Sequence, residues 1–161
     1  MSSNDYPPIP RITGSPDPDK APEQAGNDAE AHILMVEDNP GDVLLLRESL
    51  EEHGVECELL VVNDGEKALA LLEKVGSLTS RCPSLVILDL NLPRRSGQEI
   101  LMLLRSFEAC RDVPVIVFSS SDLPADREAA AALGATRYVR KPSSLEEFMK
   151  IGGVVKELLS P

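Results

Sequence analysis

Short apolar runs alternate with longer stretches of helical period along residues 32–161. Each run is short, continuous and rich in aliphatic residues, as in a strand that is buried on both faces. The stretch after each run carries apolar residues three and four positions apart, which indicates an amphipathic helix. Five such units in succession predict an α/β fold with a doubly wound five-stranded parallel sheet and helices on both faces.

Caps and breakers set the limits of the predicted elements. Asn39 and Asp64 are candidate N-caps for the first two helices, and Ser143 or Ser144 for the last, which is predicted to run to Leu159. The predicted strands are His32–Val36, Glu56–Val62, Leu85–Leu88, Val115–Phe118 and Thr136–Arg140, and the third and fourth helices are predicted at Gly97–Phe107 and Ala125–Leu133.

The first 31 residues have a different composition from the rest. They hold six of the thirteen prolines and six acidic groups, with almost no large aliphatic side chains. Such a segment cannot bury enough apolar surface to offset the entropy lost on ordering. Residues 1–31 are therefore predicted to be a disordered N-terminal tail, and residues 32–161 a single domain.

Charge and hydropathy exclude several classes of protein. The formal net charge is -11, so no nucleic acid partner is expected, because a phosphate backbone would be repelled. No apolar run approaches the roughly 20 residues that a membrane span needs, and no secretory signal is visible, which predicts a cytoplasmic protein with no membrane partner. The three cysteines, Cys57, Cys82 and Cys110, are expected to be reduced thiols, because they are odd in number and share no CxxC spacing.

Polar side chains follow the predicted strands at their carboxyl ends. Glu37 and Asp38 end the first strand, Asp89 the third and Ser119 the fourth, while Lys141 follows the fifth. Ligands of this fold class bind outside these strand ends, so the side chains should share one crevice. Three carboxylates so close require a cation, and oxygen ligands favour Mg²⁺. A carboxylate there can also act as a nucleophile toward phosphorus.

These residues carry a family resemblance. The chain resembles the receiver domain of two-component response regulators over residues 32–160, and is most similar to the stand-alone regulators paired with phytochrome-type histidine kinases. The resemblance also implies a flavodoxin-like strand order of 2-1-3-4-5. The motifs that carry it are VEDNPGD (Val36 to Asp42), DLNLP (Asp89 to Pro93), VFSS (Val117 to Ser120) and YVRKP (Tyr138 to Pro142).

The resemblance implies a role for each member of the crevice. Asp89 would accept a phosphoryl group from a sensor histidine kinase. Mg²⁺ would be held by Glu37, Asp38, Asp89 and the backbone carbonyl of Asn91, and Lys141 would contact the phosphoryl group.

The resemblance also implies that Ser119 and Tyr138 form a pair whose side chains re-orient on phosphorylation. A proline follows Lys141, so we predict a cis Lys141–Pro142 peptide that aims the lysine inward, since cis costs only about 0.5–1 kcal/mol before proline.

Three other functions fit the sequence less well. An aspartate-nucleophile phosphatase needs a second acid two residues after the nucleophile, where this chain has Asn91. A nucleotide or flavin binder needs a Gly-rich loop after the first strand, which is absent here. A receiver-shaped adapter that never carries phosphate is less favoured, because all the site positions are chemically competent. We therefore expect a signalling switch, not an enzyme, that assists only its own phosphoryl transfer and autodephosphorylation.

The last predicted helix has a wide apolar arc. One stripe is wide enough to cover the sheet, and Ile151, Val154 and Leu158 form a second stripe beside it. Gly152 and Gly153 weaken the helix, which close backbone approach to a neighbour would explain. These features predict a homodimer through the last helix; the alternative is that the helix lies deeper in its own domain. We expect no output module after the helix, so partner binding should use the receiver surface.

Removing residues 1–31 should leave thermal stability and phosphorylation nearly unchanged, because a segment so poor in aliphatic residues can contribute little buried area. Thermal melting of the full and shortened chains, followed by circular dichroism, tests this. A fall of more than about 5 °C in the midpoint, on the order of 1 kcal/mol for a domain of this size, would mean that the tail docks.

Overall fold

The computed structural model describes residues 30–77 and 81–160. The predicted tail lies outside these residues except at its last two positions. The first strand begins one residue earlier than predicted, at Ala31.

The chain folds as alternating strands and helices around one parallel sheet. The sheet has the order β2-β1-β3-β4-β5, and every pairing is parallel. The predicted flavodoxin-like order 2-1-3-4-5 is therefore confirmed. The elements are β1 (Ala31–Val36), α1 (Pro40–Glu52), β2 (Cys57–Val62), α2 (Gly65–Ser77), β3 (Leu85–Leu88), α3 (Gly97–Ser106), β4 (Val115–Ser119), α4 (Pro124–Ala132), β5 (Arg137–Arg140), α5 (Leu145–Phe148) and α6 (Ile151–Leu159).

Two apolar cores lie on opposite faces of the sheet, because successive strand residues point to opposite sides. In β1, Ile33 and Met35 pack with residues of α1, α5 and α6, whereas Leu34 and Val36 pack with residues of α2, α3 and α4. Aliphatic side chains fill most of both cores, as the composition predicts. Because the three central strands are covered on both faces, their carboxyl ends lie at fixed positions relative to one another.

The predicted N-caps are confirmed. The Asn39 side chain accepts hydrogen bonds from the backbone N–H groups of Gly41 and Asp42, at 2.9 and 3.3 Å. Asp64 accepts from the N–H of Lys67 at 2.7 Å. These caps satisfy N–H groups that the first turn of a helix leaves without partners, and they fix where α1 and α2 leave the sheet edge.

The last helix is broken, contrary to the single helix predicted. α5 ends at Phe148 and α6 begins at Ile151. The Ser49 hydroxyl of α1 lies at the break: it donates to the Met149 carbonyl and accepts from the Gly152 N–H, both at 2.7 Å. These bonds satisfy backbone groups at the break, so α1 stabilises the interruption.

The second apolar stripe of the last helix is largely covered by its own chain. Ile151 is buried and belongs to the same core as α1, which makes it unavailable to a second subunit; its predicted place in a dimer interface is wrong. Val154 and Leu158 are partly buried against that core. The helix therefore lies deeper in its own domain than the dimer prediction assumed.

The close neighbour of Gly152 is also part of this chain. A Cβ atom added there would collide with the Ser49 carbonyl oxygen and lie 2.7 Å from His53 Nδ1. A Cβ at Gly153 would meet the movable His53 ring at 3.2 Å. The glycine pair is therefore explained by the approach of α1, without a second subunit.

The prediction of three reduced thiols is wrong for two of them. A disulfide joins Cys82 to Cys110, with their Cα atoms 5.5 Å apart. The two cysteines are 28 positions apart in sequence, and folding brings the loop before β3 next to the turn after α3. Their spacing alone therefore did not predict the bond. Cys57 is free and buried, and burial raises the pKa of its thiol to about 12.

Across residues 30–77 and 81–160, none of the helices has the length and apolarity to cross a membrane.

Gly152→Ala should lower the free energy of unfolding by about 1–3 kcal/mol, because its methyl group would force α6 away from the Ser49 carbonyl. Gly153→Ala is the matched control and should stay within about 1 kcal/mol of the unsubstituted chain, since only a movable ring must shift and alanine favours a helix. Urea denaturation of both variants measures the difference. Equal stability of the two variants would contradict the close packing of α6 on α1.

Candidate functional site

The predicted site residues meet at the carboxyl edge of the sheet, and backbone bonds between strands place them there. The Asp89 N–H donates to the Val36 carbonyl at 3.0 Å, which brings the ends of β3 and β1 together. The Lys141 N–H donates to the Ser119 carbonyl at 2.7 Å and brings the residue after β5 to the end of β4. The crevice predicted from the sequence is therefore present.

The Lys141 side chain is the centre of the site. Its Nζ atom lies 2.6 Å from Glu37 Oε1, 2.9 Å from Asp42 Oδ2 and 3.1 Å from Asp89 Oδ2. Burial lowers the pKa of Lys141, but the adjacent carboxylates of Glu37, Asp42 and Asp89 outweigh that effect and leave the pKa raised. The lysine is therefore a fixed positive charge inside an acidic crevice.

Asp42 is a member of this cluster that the sequence analysis did not identify. It lies in the first turn of α1, where an acidic residue is usual for the helix dipole alone. One signal was present in the sequence: Asp42 is three positions after the predicted N-cap Asn39, which places it in the first helical turn beside the carboxyl end of the first strand.

The predicted cis peptide between Lys141 and Pro142 is wrong, since the described residues contain no cis bond. The lysine reaches Asp89 without it. Because β5 is parallel to β4 and the Lys141 N–H is tied to the Ser119 carbonyl, the trans backbone already directs the side chain across the crevice.

Glu37 is the most enclosed acid of the site, with 2% of its surface exposed. Burial, and then the neighbouring Asp89, raise the pKa of Glu37 to about 8. Its Oε1 atom is buried and makes a close ion-pair contact with Lys141, but no hydrogen bond of regular geometry. A buried carboxylate oxygen with spare bonding capacity, next to a second acid, suits a cation ligand.

Three carboxylates offer a metal-compatible group. Ligand oxygens of Glu37, Asp38 and Asp89 all lie within 4.8 Å of one another. Asp38 is exposed whereas the other two are buried, so the group opens to solvent on one side. The Asn91 N–H donates to Asp89 Oδ1 at 2.9 Å, which keeps Asn91 beside the group. The donor set consists of oxygens, as a hard divalent cation requires.

Ser119 and Tyr138 are connected through the loop after β4. Ser119 is fully buried, and its hydroxyl accepts from the Ser121 N–H at 3.2 Å. The Tyr138 hydroxyl donates to the Ser121 carbonyl at 3.0 Å, and the Ser121 hydroxyl donates to Asp126 in a very short bond. The Arg127 guanidinium lies over the Tyr138 ring, 4.6 Å from its centre. The sequence analysis missed Ser121 as the link between the two predicted switch residues.

Comparisons with known proteins agree with this geometry. The family described as "Response regulator receiver domain" matches residues 33–151. The chain is 33% identical to Response regulator Rcp1 of Synechocystis sp. over 120 residues, covering 74% of this chain and 82% of that protein.

Solved structures give the same family. The phosphorylated cyanobacterial phytochrome response regulator RcpA superposes with a TM-score of 0.72 at 32% identity, covering 81% of this chain and 94% of that chain. The Mn²⁺-bound form of response regulator Rcp1 gives a TM-score of 0.70 at 31% identity, covering 79% and 92%. With the fold, the acidic crevice and its lysine in place, the chain belongs to the response regulator receiver domains of two-component signal transduction.

Proposed function

We propose that Asp89 is the residue of this chain that accepts the phosphoryl group. The observation that carries the proposal is the position of its carboxylate, 3.1 Å from the Lys141 ammonium and inside the group of acidic oxygens formed with Glu37 and Asp38. Asp89 Oδ1 is held by the Asn91 N–H. The Lys141 ammonium donates to Asp89 Oδ2, so hydrogen bonds orient both oxygens of this carboxylate.

Glu37, Asp38, Asp89 and the backbone carbonyl of Asn91 are proposed to hold Mg²⁺. When bound, the ion neutralises negative charge that develops on the transferring phosphoryl group. The spare capacity of the buried Glu37 oxygen supports this assignment. So does the printed description of the Rcp1 structure as its Mn²⁺-bound form.

In the proposed transfer, a carboxylate oxygen of Asp89 attacks phosphorus. The bond between phosphorus and the donor's leaving group breaks, and an acyl phosphate forms on Asp89. Lys141 supplies a point charge to a phosphoryl oxygen, and the Ser119 hydroxyl donates to another. Hydrolysis of the acyl phosphate by water returns the carboxylate, so the chain assists only its own phosphorylation and dephosphorylation.

Ser119 and Tyr138 are proposed as the switch pair. The Ser119 hydroxyl is held by Ser121, whose carbonyl in turn accepts from Tyr138. A Ser119 hydroxyl drawn toward a phosphoryl oxygen would give up its bond to Ser121 and alter the loop that holds Tyr138. Phosphorylation would thus change the surface around β5, which biases partner binding.

The proposed phosphoryl donor in the cell is a sensor histidine kinase, and we favour a phytochrome-type one, because similar solved structures are described as phytochrome response regulators. The absence of nucleic acid binding is proposed from the net charge of -11, and a cytoplasmic location is proposed from membership of the receiver domain family.

Incubation with acetyl phosphate and Mg²⁺ should label the unsubstituted chain once, because Asp89 is the assigned acceptor. Asp89→Asn should reduce labelling at least about tenfold, and EDTA should do the same, since an amide is a poor nucleophile and the crevice would lose its cation. Phosphate-affinity gels and intact mass measure the uptake.

Asp112→Asn is the control, because Asp112 is exposed and lies before β4, at the opposite end of that strand. Labelling of Asp89→Asn at the unsubstituted rate, or uptake undiminished by EDTA, rules out the assignment. A chain that takes up no phosphate at all would favour an adapter role.

We propose a homodimer through the last helix, with fewer interface residues than the sequence suggested. Ile151 is excluded by burial, which leaves Val154 and Leu158 as partly exposed apolar residues of α6. A groove of about 460 Å³ lies between β5 and α6, and Val139 and Val154 are among its lining residues. The proposed interface joins this groove to the same face of a second copy.

Light scattering after size exclusion, with and without acetyl phosphate, should show a dimer at high micromolar concentration. Val154→Lys should shift it to monomer, because a desolvated ammonium without a partner opposes burial. The thermal midpoint of the variant serves as the folding control. A monomer both with and without acetyl phosphate, or a dimer that persists in Val154→Lys, would contradict this interface.

A further inference from the structure

Among the residues that the structure describes, Asp42 is the carboxylate in contact with Lys141 that lies outside the metal-compatible group. That group comprises Glu37, Asp38 and Asp89, whereas Asp42 Oδ2 lies 2.9 Å from the Lys141 ammonium. Asp42 belongs to α1, and Lys141 follows β5, so their contact joins two elements that are far apart in the chain.

Binding of a divalent cation would change the surroundings of Lys141. Two of its three carboxylate partners, Glu37 and Asp89, belong to the group that would coordinate the ion. Their charge would then be shared between the ion and the ammonium, and the two cations would repel each other. Asp42 would be the carboxylate left to Lys141 alone.

The contact between Lys141 and Asp42 is partly shielded from solvent. The side chains of Lys141 and Asp42 are 18% and 19% exposed. Ion pairs of this kind are less screened by water than those on an open surface, which are typically worth little. The Asn39 cap fixes Asp42 further, because it binds the Asp42 N–H at 3.3 Å and holds the first turn of α1 in place.

We propose, resting on the function proposed above, that Asp42 is a positioning residue that keeps the Lys141 ammonium inside the crevice while the metal occupies Glu37 and Asp89. Asp42 touches neither the phosphoryl group nor the nucleophile in this role. It acts by orienting Lys141, so that a phosphoryl oxygen arriving at Asp89 meets a positive charge that is already in place.

The test is a double-mutant cycle in the full chain, measured as the initial rate of phosphoryl uptake from acetyl phosphate at saturating Mg²⁺. Asp42→Asn should lower the rate about tenfold, in the range expected for losing a charged hydrogen bond. In a Lys141→Gln background, the same substitution should change the rate less than about twofold, because the group that Asp42 positions is gone.

The control variant is Glu48→Gln, which removes an exposed acid from the same helix and should leave uptake unchanged. Asp42→Glu should restore part of the rate, since it returns the charge. A readout independent of activity is the side-chain ammonium signal of Lys141 in ¹⁵N NMR with Mg²⁺ bound. The signal should be sharp in the unsubstituted chain and broadened in Asp42→Asn.

Three results would overturn the proposal: uptake by Asp42→Asn equal to that of the Glu48→Gln control, an equal loss in both Lys141 backgrounds, or an ammonium signal that the substitution does not change. A chain that takes up no phosphate in any form refutes the proposed function instead. In that event, the NMR signal alone decides whether Asp42 holds Lys141.

Discussion

The Lys141 ammonium lies among three carboxylates, and the site depends on that arrangement. Glu37 follows β1, Asp42 lies in the first turn of α1 and Asp89 follows β3, each within 3.1 Å of the same nitrogen. Acids this close would repel one another without a positive charge among them. The lysine therefore allows three acids to lie close together at one edge of the sheet.

The rest of the fold holds that edge in register. Parallel pairing brings the strand ends together, and the two cores cover the central strands on both faces. The Lys141 Nζ atom lies over the Phe118 ring, 5.4 Å from the ring centre, and that ring packs edge to face on Phe148 of α5. The apolar core thus reaches the floor of the charged crevice, and packing limits where the ammonium can lie.

Much of this could be predicted from the sequence, because the information is local. Aliphatic runs of strand length predicted the strands. The polar residues that follow these runs predicted that Glu37, Asp38, Asp89 and Lys141 are neighbours. The motif resemblance added the strand order. Caps were visible for the same reason, since an N-cap bonds to groups only two or three positions away.

Several misses depend on contacts between distant parts of the chain. The break between α5 and α6 is held by Ser49, about a hundred positions earlier. Gly152 is packed on that same segment, so its neighbour was mistaken for a second subunit. Helical periodicity describes one helix at a time and cannot show which other helix contributes a hydroxyl to its backbone. The disulfide between Cys82 and Cys110 could not be predicted from the sequence for the same reason.

Glu37 and Asp38 are adjacent in sequence but belong to different environments. Glu37 is enclosed beside the core and paired with Lys141, while Asp38 faces solvent. Replacing Glu37 would remove a buried partner of Lys141, whereas replacing Asp38 would change an exposed side chain at the mouth of the crevice. Substitution at Glu37 therefore carries a cost in folding stability that substitution at Asp38 avoids.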